Sequence, residues 1–155
     1  MISMQQKIIN QESKDTPKNN KSTIILIVVG LVLAVALFAV LAYQGVEQAK
    51  IIEPKFAGTS FTYHKDYGGG QYLDIHYSFS NNNTFSSRDS TVIHGQYIPS
   101  HSGRGRYSVS SFLNRVKLTV TTDDGFSQSF SVYLDPNGTP ISLKQGDVIL
   151  KKDYR

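Results

Sequence analysis

The fold is decided by a stretch in which apolar and polar residues alternate, RVKLTVTTDDGFSQSFSVYL, from Arg115 to Leu134. The apolar positions are Val116, Leu118, Val120, Phe126, Phe130, Val132 and Leu134. Successive side chains of a strand point to opposite faces, so this period of two makes one face apolar and the other rich in Ser and Thr. The turn signal Asp123-Asp124-Gly125 divides the stretch, which predicts an antiparallel hairpin with one buried face.

The same alternation continues on both sides of this hairpin. Clusters of Gly, Asn and Pro separate the runs, and no helical period appears between Thr59 and Lys152. We expect strands at residues 59–64, 71–79, 91–98, 105–111, 115–122, 126–134, 139–144 and 148–152. About eight strands with short connections predict an all-β domain, either an antiparallel up-and-down barrel or a two-sheet sandwich.

A second feature is the uninterrupted apolar run IILIVVGLVLAVALFAVLA, from Ile24 to Ala42. As a helix it would be about 28 Å long, close to the roughly 30 Å hydrocarbon core of a bilayer. Lysines precede the run at positions 7, 14, 18 and 21, whereas only Lys50 and Lys55 follow it closely. This asymmetry predicts a single-pass cell-membrane protein with a cytoplasmic N-terminus and an extracellular C-terminal domain.

These features divide the chain into four segments. We expect a disordered cytoplasmic tail at residues 1–22, a transmembrane helix at 23–43, a stalk at 44–55 and an extracytoplasmic β domain at 56–155. The stalk would extend the helix briefly, and Pro54 would end it. Two alternatives stay open: cleavage after Ala42, as in a signal peptide, and a weak homo-oligomer through the small residues Gly30 and Ala34.

The composition narrows the function classes. The chain has no cysteine, which fits a Gram-positive surface protein better than a disulfide-stabilised secreted one. Its net charge of +4 derives partly from the N-terminal tail, so the outer domain lacks the basic excess of a nucleic-acid-binding protein. The sequence contains no nucleophile elbow, no thiol nucleophile and no metal-hydrolase motif. We therefore expect neither an enzyme nor a cofactor, and no nucleic-acid partner.

Several short motifs resemble those of lipocalin-like β-barrel domains in bacterial membrane-anchored envelope proteins. FAGT at residues 56–59 is similar to the opening of the first strand, YSFSNNNTF at residues 77–85 to a strand–turn step, and GRYSV at residues 105–109 to a G-x-Y-x-V strand. The resemblance covers residues 56–152 and implies a fold, with roles as ligand carriers or structural envelope modules. The tryptophan usual in the first strand is missing, which makes Phe61 the candidate to fill the bottom of the barrel.

Two kinds of side chain are candidates for a binding surface. Tyr72 and Tyr133 fall on outward faces by parity, and exposed tyrosines provide large contact areas at low entropic cost. Arg104 and Arg106 belong to the segment His101–Arg106. We expect this segment to be a mobile basic loop that contacts phosphates or lipid head groups, or else a plain hairpin connection.

Asp74 and His76 are weak candidates for metal ligands. They lie two residues apart on one strand face, and His64, His94 and His101 would have to join them to complete a site. No recognised metal-ligand spacing supports this interpretation, so we expect a solvated polar face instead.

The leading hypothesis is a non-catalytic, membrane-anchored surface protein. Its partners would be the lipid bilayer and a protein or cell-envelope component. The alternative is a carrier of a small apolar ligand inside the barrel, and an envelope enzyme is a third hypothesis. A carrier requires an internal cavity of roughly 300 Å³ or more. The residues that would otherwise fill the interior are Tyr77, Phe79, Phe130 and Leu134.

Overall fold

The computed structural model describes residues 20–154, which form two compact units, one ending at Phe38 and one beginning at Ala39. Helix α1 (Asn20–Ile52) is the one helix among the described residues that is long and apolar enough to span a membrane. Residues 21–40 are exposed around its whole circumference. An apolar helix without a polar face requires an apolar surrounding, which fits either a membrane anchor or a signal sequence. The tail predicted at residues 1–22 lies almost entirely outside the described residues.

Within the described residues, the second unit contains eight antiparallel strands that form a closed barrel in sequence order. They are β1 (Ser60–Gly68), β2 (Gln71–Phe79), β3 (Thr84–Ile93), β4 (Gln96–Phe112), β5 (Arg115–Thr122), β6 (Ser127–Leu134), β7 (Pro140–Gln145) and β8 (Val148–Lys152). Pairing of β8 with β1 closes the barrel. The predicted eight-stranded up-and-down barrel is therefore confirmed, and the sandwich is excluded. We call the end where β1 begins the base and the opposite end the mouth.

Two predictions for the middle of the domain are wrong. The strand expected at residues 91–98 contains the turn between β3 and β4, and residues 80–90, expected as a loop, include most of β3. The segment His101–Arg106 is not a loop either, because it lies inside β4, which is 17 residues long. His94 and Gly95 have φ angles of 51° and 79°, the left-handed values of a tight two-residue hairpin turn. The long β3–β4 hairpin therefore replaces two shorter strands.

Aromatic side chains fill the base of the barrel. Phe61 is fully buried, as expected where the tryptophan is missing. Phe56, which ends a short 3₁₀ helix (Glu53–Phe56), is equally buried and shares this role. The Phe56 ring centroid lies 5.3 Å from that of Phe79 and 6.0 Å from that of Tyr107. Edge and tilted contacts of this kind add to the hydrophobic gain from burial.

The last turns of α1, at residues predicted as a stalk, contribute side chains to the core of the domain. The helix expected to extend beyond the apolar run continues to Ile52, and Ala49 and Ile52 are buried in the hydrophobic cluster. Gly45 lies on the same helix face and is also buried. A Cβ at Gly45 would lie 2.0 Å from the carbonyl oxygen of Ser111, so glycine is needed for this close approach to β4.

Polar contacts fix the same junction. The Glu53 carboxylate accepts hydrogen bonds from the side-chain amide of Asn83 and, at 3.3 Å, from the backbone N–H of Val109. The Ser111 hydroxyl donates to the side-chain oxygen of Gln48. These bonds connect the end of α1 to the β2–β3 turn and to β4. Because hydrogen bonds depend on angle as well as distance, they fix the orientation of the helix end, which apolar burial alone would not.

The first four strands extend beyond the closed part of the barrel. β4 pairs with β5 only from Gly105 onward, and β1 pairs with β8 only at Phe61 and Thr62. Beyond these points, residues 63–76 of β1 and β2 and residues 87–104 of β3 and β4 form a four-stranded sheet that we call the open sheet. The open sheet presents an outer face of its own, and the candidate site lies there.

Replacing Gly45 with alanine should destabilise the domain, because the new Cβ would overlap the Ser111 carbonyl oxygen. Overpacking of this kind costs roughly 1–3 kcal/mol. The matched control is Gly30→Ala, which makes the same change in helix propensity with no atom within 4 Å of the new Cβ. Thermal unfolding of the full chain in detergent micelles should give a lower Tm for Gly45→Ala than for the control. Equal Tm values would contradict this packing.

Candidate functional site

The outer face of the open sheet carries a broad polar groove of about 860 Å³. Its lining residues come from β2, β3 and β4. The charged and aromatic members are Asp74, His76, Arg88, Tyr97 and Arg104, and the hydroxyl-bearing members are Ser78, Ser86, Ser87, Ser90 and Ser102. A groove lined so largely by hydrogen-bonding groups is suited to a polar ligand.

The strand register places these side chains next to one another. His76 of β2 pairs with Arg88 of β3, and Arg88 pairs with Ser102 of β4. One row further toward the base, Ser86 pairs with Arg104. Residues two apart on a strand share a face, so these pairs form two adjacent polar rows on the outer face. A bulge in the β3–β4 pairing bends the sheet near the end of the groove.

The two arginines determine the charge of the groove. Among the described residues, no carboxylate oxygen lies within ion-pair distance of Arg88 or Arg104, whereas Lys50 pairs with Glu47 and the His64 ring contacts the Asp74 carboxylate. The Asp74 carboxylate is instead held by His64, whose Nδ1 lies 2.6 Å from Oδ1. The groove therefore presents two guanidinium groups surrounded by serine hydroxyls.

The predicted binding residues do not form one surface. Arg104 lines the groove, and Tyr72 lies on the outer face of β2 with its ring centroid 5.2 Å from that of His64. Arg106 lines a neighbouring depression together with Asp123 and Arg104, so the two predicted arginines share this depression, while Arg104 also lines the groove. Tyr133 is exposed on β6, as its parity predicts, but β6 is four strands away from β2 in the barrel.

Arg88 is the groove residue that the sequence analysis missed. It lies in a part of β3 that was expected to be a loop, because polar residues occupy both parities from Ser86 to Ser90 and no apolar period appears. The sequence feature that could have predicted this hairpin is His94-Gly95, a dipeptide that suits a two-residue turn. Such a turn pairs the strand before it, β3, with the strand after it, β4.

The weak metal candidates lie on one face, as their spacing predicts, but they have different partners. Asp74 is bonded to His64, and His76 Nε2 lies 2.7 Å from the Ser78 hydroxyl oxygen. His101 lines the barrel mouth, away from both. In the part of the chain that the structure describes, no three histidine or acidic side chains converge where a metal ion would bind.

A second cavity, of about 460 Å³, opens at the mouth of the barrel. Its apolar lining includes Ile75, Phe85 and Phe126, and its polar lining includes Asp89 and His101. Its volume lies within the range of small-ligand sites. The interior is therefore filled only in part: the buried side chains are Tyr77, Phe79 and Phe130, and Leu134 packs against them partly exposed.

Burial, neighbouring charges and hydrogen bonds shift the pKa values of three groups at the mouth. Burial raises the pKa of Asp89, and the nearby His101 offsets part of that rise. Burial, and to a lesser extent the charge of Asp89, raises the pKa of Tyr77 to about 12, and the Tyr77 hydroxyl donates to the Gln128 side-chain oxygen at 2.9 Å. Hydrogen bonding, first of all from the Thr122 hydroxyl, lowers the pKa of Asp124. The mouth thus differs from a purely apolar pocket.

Comparisons with protein-family models, with curated proteins and with solved structures gave no match to this chain. The strand pairing shows the eight-stranded barrel, whereas the lipocalin-like resemblance stays a prediction. Any functional conclusion follows from the chemistry of the sites.

The raised pKa of Asp89 should make the stability of the domain depend on pH. The native state binds this proton more tightly than the unfolded state, so stability falls as the pH rises from the ordinary value of 3.8 through the folded pKa. The loss then persists at neutral pH. Asp89→Asn removes the ionisation and should raise the urea midpoint at pH 7 while leaving it nearly unchanged at pH 3.

The control for this experiment is Asp147→Asn, which removes an exposed carboxylate from the β7–β8 turn. Its midpoint should differ little from that of the wild type at either pH. If Asp89→Asn and Asp147→Asn shift the midpoint equally at pH 7, the effect belongs to net charge and not to the burial of Asp89.

Proposed function

We propose that the chain is a single-pass, membrane-anchored surface protein whose outer β domain binds an anionic, hydroxyl-bearing component of the cell envelope and catalyses no reaction. The length and apolar character of α1 support the anchor. The excess of lysine before the apolar run supports an extracellular location for the barrel. The resemblance to lipocalin-like envelope modules agrees with a binding role.

The pair of unneutralised arginines in the groove carries this proposal. A guanidinium group has five N–H donors in a planar fork that matches a phosphate or a carboxylate. Arg88 and Arg104 line one groove, and among the described residues neither has an acidic partner. Both therefore remain able to bind an anion.

The serine hydroxyls specify the rest of the ligand chemistry. A hydroxyl both donates and accepts a hydrogen bond, so the serines of the groove complement the hydroxyl groups of a sugar or polyol. Tyr97 is the one aromatic residue of the lining, whereas single-stranded nucleic acids stack on several aromatic rings. A phosphate- or carboxylate-bearing glycan or polyol suits the groove better than a nucleic acid.

Binding of the full chain to immobilised poly(glycerol phosphate) tests the proposal, with dextran as the uncharged polyol. The wild type should bind the anionic polymer and not dextran. A charge-assisted hydrogen bond contributes about 1.5 kcal/mol or more, so Arg88→Gln and Arg104→Gln should each bind about tenfold more weakly.

Lys144→Gln is the matched control, because it removes the same charge from an exposed position on β7, outside the groove. It should retain wild-type affinity. Equal losses for all three variants would mean that net charge alone attracts the polymer, and the groove would then not be the site. No binding by the wild type would favour a protein partner, which a pull-down from intact cells would identify.

The cavity at the mouth favours a second candidate function, the carriage of a small ligand. Its mixed lining suits an amphiphile better than a wholly apolar molecule. Because the chain contains no tryptophan, Phe126→Trp provides a reporter at the cavity and Tyr133→Trp a control on the outer surface. Octanol should change the emission of the first variant saturably and not that of the second. Identical, non-saturating responses would exclude this function.

A further inference from the structure

We propose that the tip of the β4–β5 hairpin, residues 112–115, inserts into the membrane interface beside α1 and gives the domain a second contact with the lipid bilayer. This inference rests on the proposal that α1 spans a membrane. The tip presents Phe112 and Leu113, whose exposed fractions are 41% and 58%, followed by the exposed Arg115. Lipid-facing tips combine apolar side chains with a basic residue at the head-group level.

The contacts of β4 with α1 show where the tip lies. The backbone N–H of Val109 reaches Glu53, and two residues later Ser111 reaches Gln48. From Val109 to Ser111 the strand advances about 6.6 Å, and from Glu53 back to Gln48 the helix covers about 7.5 Å. The two segments thus cover similar distances in opposite chain directions. Within the second unit, the end of β4 therefore runs nearly antiparallel to the last turns of α1, toward Ala42.

Extending this course places the tip at the end of the apolar run. The Ser111 carbonyl lies against Gly45, three residues after Ala42, a distance of about 4.5 Å along the helix. Leu113 follows Ser111 by two strand residues, or about 6.6 Å. The tip thus reaches the level of Ala42, where a membrane-spanning run would enter the interface.

The burial of the helix agrees with this position. Residues 21–40 are exposed, but Leu41 and Ala42 are half-buried and Gly45 is buried. The face of α1 covered within the second unit thus includes the last two residues of the apolar run. If Leu41 and Ala42 lie in the bilayer, the part of the domain that covers them lies at the same depth.

The conformation of the turn gives a separate reason. Leu113 and Asn114 have φ angles of 49° and 61°, values that Asn and Gly adopt at lower cost than leucine. Leu113 packs outside the hydrophobic cluster of the domain, so within residues 20–154 no core contact compensates for this conformation. Burial in lipid would compensate for it. The tip offers two exposed apolar side chains, whereas a stable protein interface engages roughly 20–30 residues on each side, which favours lipid over a second copy.

Single-tryptophan variants of the full chain test this inference, because the chain has no tryptophan of its own. Leu113→Trp reports on the tip, Leu33→Trp on the middle of the apolar run and Tyr67→Trp on an exposed aromatic position near the end of β1 that lies away from the base. Each variant is reconstituted in vesicles of phosphatidylcholine and phosphatidylglycerol, with and without brominated acyl chains, in one series brominated near the head group and in another near the bilayer centre. Phe112→Trp is the second tip variant if Leu113→Trp alters the near-UV circular dichroism.

We expect the tip variants to show blue-shifted emission that brominated lipid quenches, and Tyr67→Trp to show neither effect. Quenching of Leu33→Trp alone would overturn the inference and leave the anchor intact. Absence of quenching at Leu33→Trp would overturn the anchor, and the inference with it. A blue shift at the tip without quenching would mean contact with protein in place of lipid and would also overturn the inference.

Discussion

The packing of Phe56 into the base of the barrel is the contact on which the rest of the structure depends. The chain has no cysteine, so closure of this end relies on side-chain packing and hydrogen bonds without a disulfide. Phe56 is fully buried against Phe61, Phe79 and Tyr107, at centroid distances of 5.3–6.0 Å. Losing a buried phenylalanine costs about 3–5 kcal/mol, a large share of the stability of a small domain. Because only the short 3₁₀ helix separates Phe56 from the end of α1, the burial of Phe56 also holds Ile52 and Glu53 against the barrel.

The unequal strand lengths explain where the groove and the mouth cavity lie. β5 to β8 contain between 5 and 8 residues, whereas β1 to β4 contain between 9 and 17. A barrel with equal strands would have only an interior and a uniform outside. Here the longer strands leave the closed wall and form the open sheet, whose outer face groups Arg88, Arg104 and the serines. The base is then occupied by the end of α1, and the groove and the mouth are left open.

Much of the fold was predictable because the buried face of most strands carries a visible apolar period. β2 begins and ends at the predicted residues, and β5 to β8 differ from prediction by at most one residue at each end. β3 escaped prediction because its outer residues are Ser86, Arg88 and Ser90 and its inner residues include Ser87 and Asp89. An open sheet with a polar groove on one side and a partly polar mouth on the other has no apolar face to detect.

The candidate site was less predictable than the fold, since it depends on register across three strands. The sequence predicts Arg104 as a binding residue. Arg88 lies 16 positions earlier, and only the β3–β4 hairpin brings it into the same groove. Gly45 is a similar case. Its role follows from the approach of Ser111, which is distant in sequence, and nothing in the helix itself marks it. Local sequence patterns predict individual strands and helices, whereas the groove and the contact of Gly45 with Ser111 form only when those strands and helices pack together.

Hydrogen–deuterium exchange of the full chain in detergent micelles tests the central claim, that the end of α1 is part of the barrel core. Residues 45–52 and the core strand β5 should show the same opening free energy, and both values should fall with urea at the same rate, because one cooperative unfolding exposes them. Exchange of residues 45–52 at a much lower opening free energy, insensitive to urea, would show an independent stalk and contradict the account.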